Sequence, residues 1–171
     1  MQILSKEFVC AQDIEELKDS SWLQSHRCSF DMLGEASRNQ LQSDAYFESY
    51  LGAINSIGAI NSAHALSNGI SIKLSALYSK YDTLHEREVK NFLLPKLRDL
   101  VIEAAAKDVP VTIDAEEQDR LSLSLSLVED LALDPVIKNW PKLGLAVQAY
   151  GKRSLQVIEY LGQLAQQRNT M

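Results

Sequence analysis

Four short stretches of this chain, RCSFDML, ISIKLSAL, VPVTIDAEE and KLGLAVQAY, alternate with longer segments whose apolar residues recur at helical spacing. Strand and helix in regular alternation restricts the fold more than any other feature here. A strand that leads through a crossover helix to the next strand pairs with it in parallel. The pattern predicts an α/β chain built as a parallel sheet or half of a barrel.

The helical segments carry their own punctuation. Asp13 and Glu16 predict a first helix that ends near Ser25. A long helix is expected after Ser43, with Phe47, Tyr50, Leu51, Ile54, Ile57 and Ile60 on one face. Thr83 and Glu86 form a T-x-x-E capping box for the next, which places Val89, Phe92, Leu93, Leu97, Leu100 and Val101 together and which Pro95 should bend. The run from Leu121 to Leu127 alternates Leu with Ser, a strand-like period. Its flanks, EEQDR and VEDLAL, favour helix, and parallel pairing of the third and fourth strands requires a crossover there, so helix is predicted. Ser154 is expected to cap a last amphipathic helix through Val157, Ile158, Leu161 and Leu164.

No linker-like tract divides the 171 residues, and 46% of them are hydrophobic, enough to bury one sizeable core. The net charge of -6 comes without a basic cluster, which argues against nucleic acid as a partner. Cys10 and Cys28 are the only cysteines and form no C-x-x-C pair, so neither a disulfide framework nor a metal site is expected. The first residues lack a basic segment leading into an apolar core, and no run is long enough to cross a bilayer; a cytoplasmic location is expected.

Side chains alternate across a strand, so each stretch can be split into two faces. Ile70, Ile72 and Leu74 oppose Ser71, Lys73 and Ser75; Val111 and Ile113 oppose Thr112, Asp114 and Glu116. Leu143, Leu145 and Val147 oppose Gly144, Ala146, Gln148 and Tyr150, while Phe30 and Met32 oppose Ser29 and Asp31, with Glu35 just beyond. An ordinary parallel barrel fills its inner face with branched apolar side chains. A face of Ser, Thr, Gly and Ala leaves space for a ligand. Asp31, Glu35, Lys73, Asp114 and Gln148 fall toward the C-terminal ends of the strands, where α/β folds build their sites. Each also has a structural reading: Lys73 and Asp114 can form an ion pair for stability alone, and Gln148 can satisfy buried backbone. Their common position favours a site. His26, His64 and His85 have no partner at a catalytic spacing, and no phosphate-cradling glycine loop is present.

The blocks SFDMLGEA, NGISIKLSALYSKY, LLPKL, IDAEEQDRLSLSL and VQAYGKRSLQVIEYL, in this order, resemble the proline dehydrogenase domain of the bacterial bifunctional proline utilisation flavoenzymes. KEFVCAQDIEEL is similar to the helical segment that precedes that domain's barrel. The resemblance implies the first four strand-helix units of a (βα)8 TIM-like barrel over residues 27–171, after a helical lead-in over residues 1–26. It implies FAD as cofactor, L-proline as substrate, pyrroline-5-carboxylate as product and a membrane quinone as electron acceptor, with the protein cytoplasmic or peripheral at the inner membrane. By motif, Lys73 matches the lysine near the substrate carboxylate and Asp114 an aspartate of the catalytic polar network. Ala115 and Gln148 match positions beside the flavin, and Glu35, preceded by Asp31, matches an acidic residue of an ion-pair gate.

The family's barrel continues into strands and a helix that carry the gate's arginine and the paired arginines for the proline carboxylate. A complementary C-terminal half, or a homodimer, is therefore expected to complete the site. The alternative expectation is a non-catalytic half-barrel remnant or interaction module.

Overall fold

The computed structural model describes residues 14, 23, 26–63 and 67–168. The helix expected from Asp13 to near Ser25 thus lies outside the described residues, apart from Ile14 and Leu23, which are both buried.

The elements are β1 (Ser29–Asp31), α1 (Gln40–Ala63), β2 (Gly69–Ile72), a short helical turn α2 (Leu74–Leu77), a 3-10 turn (Thr83–His85), α3 (Glu86–Ala106), β3 (Val111–Ile113), α4 (Leu121–Ala132), β4 (Leu143–Leu145) and α5 (Ser154–Gln167). The strands form one parallel sheet in the order β1-β2-β3-β4. Sequential parallel strands with helical crossovers follow the α/β alternation, and the order is that of the first half of a TIM-like barrel, as the resemblance implies.

The register aligns two rows of opposite character. Phe30, Ile70, Val111 and Leu143 stand opposite one another, and so do Asp31, Ser71, Thr112 and Gly144. Ile70, Ile72, Val111 and Ile113 are buried beneath the helices, where they meet Ile54 and Ile57 of α1, Leu97 and Leu100 of α3 and Leu127 of α4. Burial of this order, at about 25 cal/mol per Å2 of apolar surface, is what holds the helices on the sheet. Close approach at the strand starts needs a glycine: a Cβ on Gly69 would lie 2.8 Å from the backbone oxygen of Pro110.

The Leu-Ser run is helical. Leu121–Ala132 buries Leu123, Leu127, Val128 and Leu131 along one side, so the demand for a crossover outweighs the two-residue period. Four expectations need correction. α1 begins before Ser43: Asn39 caps it, its Oδ1 accepting from Gln42 N at 2.9 Å, and Ser43 is buried within the helix. Thr83 does not cap the third helix. Asp82 does so for the 3-10 turn that leads into α3, accepting from the N–H groups of Leu84 and His85 and lying 2.7 Å from the His85 ring. Ser154 is the first residue of α5 rather than its cap, and its hydroxyl donates to the Ala149 carbonyl at 3.2 Å. Helical spacing also assigns too much to the core: Ile158 is exposed, whereas Val157 and Leu164 of the same helix are buried, and Phe92 is exposed on α3 beside the buried Val89 and Leu93. α3 runs through Pro95 over its whole span.

Candidate active site

β2 ends at Ile72, five residues short of the strand read from the alternation, and the reason is tertiary. The Lys73 N–H donates to the buried Tyr50 hydroxyl at 3.1 Å, and the chain turns directly into α2. Lys73 still has strand-like dihedrals, φ -92 and ψ 121, so its side chain keeps the face it shares with Ser71.

The register then decides what Lys73 meets. Ser71 stands opposite Asp31 on one side and Thr112 on the other, so residues two positions farther along β2 and β3 are brought together. Lys73 Nζ lies 2.5 Å from Asp31 Oδ1 and 3.3 Å from Asp114 Oδ2. Asp114 is fixed in turn, its Oδ1 accepting from Ala115 N at 3.0 Å. The Lys73 side chain is 15% exposed, against 58% for Asp31 and 32% for Asp114. Burial works against the charge on Lys73, but hydrogen bonding and attraction to Asp31 and then Asp114 outweigh it and hold the amine above its usual range. An ammonium has three N–H donors, and two aspartates engage two of them.

Beside this cluster the inner face of the sheet is low. Ser71, Thr112, Gly144 and Ala146 follow one another across it, and a Cβ added at Gly144 would meet nothing closer than 3.7 Å. At its β4 end Gln148 donates from Nε2 to the Glu116 carbonyl at 3.1 Å and accepts at Oε1 from Gln118. A small-residue floor rimmed by amides and a cation suits a flat ring with hydrogen-bonding edges.

A concavity that shares Ala146 and Gln148 with this floor opens between the loops that leave β3 and β4, lined also by Tyr81, Gln118, Arg120 and Ser124. Arg120 lies over the Tyr81 ring at 5.4 Å, and Arg153 closes one side by donating to the Gln118 carbonyl at 2.7 Å. It adjoins Ala115 and Gln148 but not Lys73.

Comparison with known proteins decides the family. The family described as Proline dehydrogenase matches residues 10–171. The Bifunctional protein PutA of Escherichia coli (strain K12) is 39% identical over 170 residues, which cover 96% of this chain and 13% of that protein. That of Rhizobium meliloti is 38% identical over 168 residues, covering 96% of this chain and 14% of the relative. A crystal structure of Bradyrhizobium japonicum Proline Utilization A superposes with a TM-score of 0.83 at 42% identity, over 92% of this chain and 16% of that one. The chain belongs to the proline dehydrogenase family. It spans well under a fifth of the length of the relatives it matches.

Within this proline dehydrogenase relative, Asp31, Lys73 and Asp114 are brought into one cluster, while Ala115 and Gln148 stand next to it across the β3 and β4 exits. Glu35 is exposed on the loop after β1, and the ion pairs of Lys73 go to Asp31 and Asp114 rather than to it. Alternation alone missed Glu116, Ser75 and Tyr50. Glu116 was placed on the open face with Asp114, yet its side chain is only 12% exposed and turns to α2, accepting from Ser75 Oγ at 2.8 Å and Ser75 N at 3.2 Å. Ser75, read as inner-face strand, is buried in the helical turn. Among the described residues no His, Cys, Asp and Glu gather in a group that could hold a metal, and no helix is long and apolar enough to cross a membrane.

Proposed function

We propose that this chain supplies the first half of a proline dehydrogenase site, oxidising L-proline to pyrroline-5-carboxylate when the rest of a barrel is present. The observation that carries the reading is the Lys73 ammonium held between Asp31 and Asp114 at the exits of adjacent parallel strands, above a floor of small residues. Residues 27–171 would be the first four strand-helix units and residues 1–26 a lead-in segment.

Lys73 would attract the proline carboxylate through its remaining N–H, and the two aspartates would keep it protonated and pointed across the sheet. Asp114, anchored by Ala115 N, would set the polar frame around the substrate amine. Bound FAD would supply the hydride acceptor for this oxidation and release its electrons to a membrane quinone. The open floor at Thr112, Gly144 and Ala146 and the amide of Gln148 are the groups of this chain that would hold its ring. Ala115 would line the same face. Glu35 would act as a gate only with a partner from another part of the barrel. Catalysis would take place in the cytoplasm, with contact to the inner membrane for electron delivery.

Leu155 and Ile158, 63% and 54% exposed on α5 beyond the last strand in the sheet order, support association with a complementary C-terminal half or a second copy of the chain. They equally support the alternative of a non-catalytic interaction module. Co-expression with the C-terminal half of a relative's barrel separates the two. A yellow complex that oxidises proline supports the enzyme; a stable but colourless and inactive complex supports the module.

A further inference from the structure

Glu116 is a half-buried carboxylate, its side chain 12% exposed, that takes no part in the ion-pair cluster, although it lies only two residues beyond Asp114. A charge held away from water needs donors, and it finds them in the turn α2: Ser75 Oγ at 2.8 Å and Ser75 N at 3.2 Å, with the Arg120 guanidinium farther off at 3.9 Å. The first N–H groups of a helical turn lack acceptors within the turn, and Lys73, which precedes α2, offers no side-chain cap. Glu116 fills that role from outside.

Ser75 passes the constraint on. Its Oγ accepts from Ala36 N at 3.0 Å, and its carbonyl accepts from both the N–H and the hydroxyl of Ser37 at 3.0 Å. Ala36 has a φ of 48, a conformation that costs a non-glycine residue energy and persists only where neighbours impose it. It adjoins Glu35. On the other side the Glu116 carbonyl accepts from Gln148 Nε2 at 3.1 Å. One residue thus touches the β2 exit directly, the β1 loop through Ser75 and the β4 exit through its backbone.

We propose that Glu116 is a positioning residue: by capping the turn after Lys73 and fixing Ser75, it holds Lys73 and the Glu35 loop in one arrangement relative to Asp114. The proposal rests on the reading that Lys73 meets substrate.

Amide hydrogen exchange on the full chain tests it without any turnover. In Glu116→Ala the amides of Ser75, Ala36 and Ser37 should exchange about tenfold faster, the scale of one lost hydrogen bond, while Leu97 and Leu100 in α3 keep their rates. Glu116→Gln keeps an acceptor oxygen and should restore all three. Unchanged exchange at Ala36 and Ser37 in Glu116→Ala overturns the proposal. Should that variant fail to fold, Glu116→Asp decides, since the shorter carboxylate draws back from Ser75: faster Ala36 and Ser37 amides support the relay, and unchanged ones overturn it. In the completed barrel, Glu116→Ala should raise KM for proline by about fivefold or more with a smaller change in kcat, and Glu116→Gln should rescue it; equal KM values for the two variants count against positioning. If the unsubstituted complex itself fails to oxidise proline while the exchange pattern appears, the proline reading falls and the relay through Ser75 stands.

Discussion

Lys73 Nζ and Asp114 Oδ2 lie 3.3 Å apart at the exits of neighbouring parallel strands, and Asp114 is anchored on its other oxygen by Ala115 N. Removing the cation by Lys73→Met leaves Asp31 and Asp114 facing each other without it. Since Asp31 is 58% exposed and Asp114 32%, water screens most of that repulsion, and the stability loss should stay at about 1 kcal/mol or below. The effect on proline should be much larger. Loss of a charge-assisted contact to the substrate carboxylate, at about 1.5–3 kcal/mol, corresponds to a fall of roughly tenfold or more in kcat/KM in the completed barrel. A variant that loses stability but keeps its proline kinetics would make this ion pair structural.

Tyr50 links the core to the site. It is 2% exposed, its hydroxyl accepts from the Lys73 N–H at 3.1 Å, and burial pushes its phenol upward. Tyr50→Phe preserves the packing volume but strands a backbone donor. The expected loss is about 1–3 kcal/mol, read from the denaturant midpoint at unchanged slope. A neutral result would mean that another acceptor reaches the Lys73 N–H.

The difference between what alternation reveals and what it hides is local. Lys73 and Asp114 could be found because each is the first residue past its strand and keeps that strand's alternation, and the Ser71–Thr112 pairing brings the two together. Glu116 and Ser75 could not. Alternation holds only while the backbone is laddered, and β2 and β3 stop at Ile72 and Ile113. Past those residues, direction is set by partners 41 residues apart in sequence. The same limit explains the caps: Asp82 and Thr83 both have side chains able to cap, and only the folded turn selects Asp82.

The half-buried carboxylate of Glu116 carries a pH signature of definite sign. Burial raises its pKa above the ordinary glutamate range, against the opposing Ser75 donors. The folded chain therefore binds more protons there than the unfolded chain. That contribution to stability is complete below the ordinary range and is lost as pH rises through the folded value. Glu116→Gln is neutral throughout, so its melting temperature relative to the parent should climb from about pH 4 toward neutrality. Melting scans across that interval check it; a flat or falling difference would mean that the Ser75 bonds outweigh desolvation.

The two apolar faces at the α4 and α5 end of the chain should respond in opposite ways to truncation and to assembly. Leu127 is fully buried under α4, so Leu127→Ala opens a cavity and should cost about 2–5 kcal/mol in the chain by itself. Ile158, which helical spacing assigned to the core, is 54% exposed, and Ile158→Ser should change the stability of the chain by no more than about 0.5 kcal/mol. Its effect belongs to association. If α5 meets a further strand-helix unit, Ile158→Ser should weaken the complex with a C-terminal half by about tenfold, the scale of burying one aliphatic side chain. Unfolding curves of the chain and titration of the two halves measure the two quantities separately. Equal affinity for parent and variant would remove this face of α5 from the interface and leave the β4 edge alone to make it.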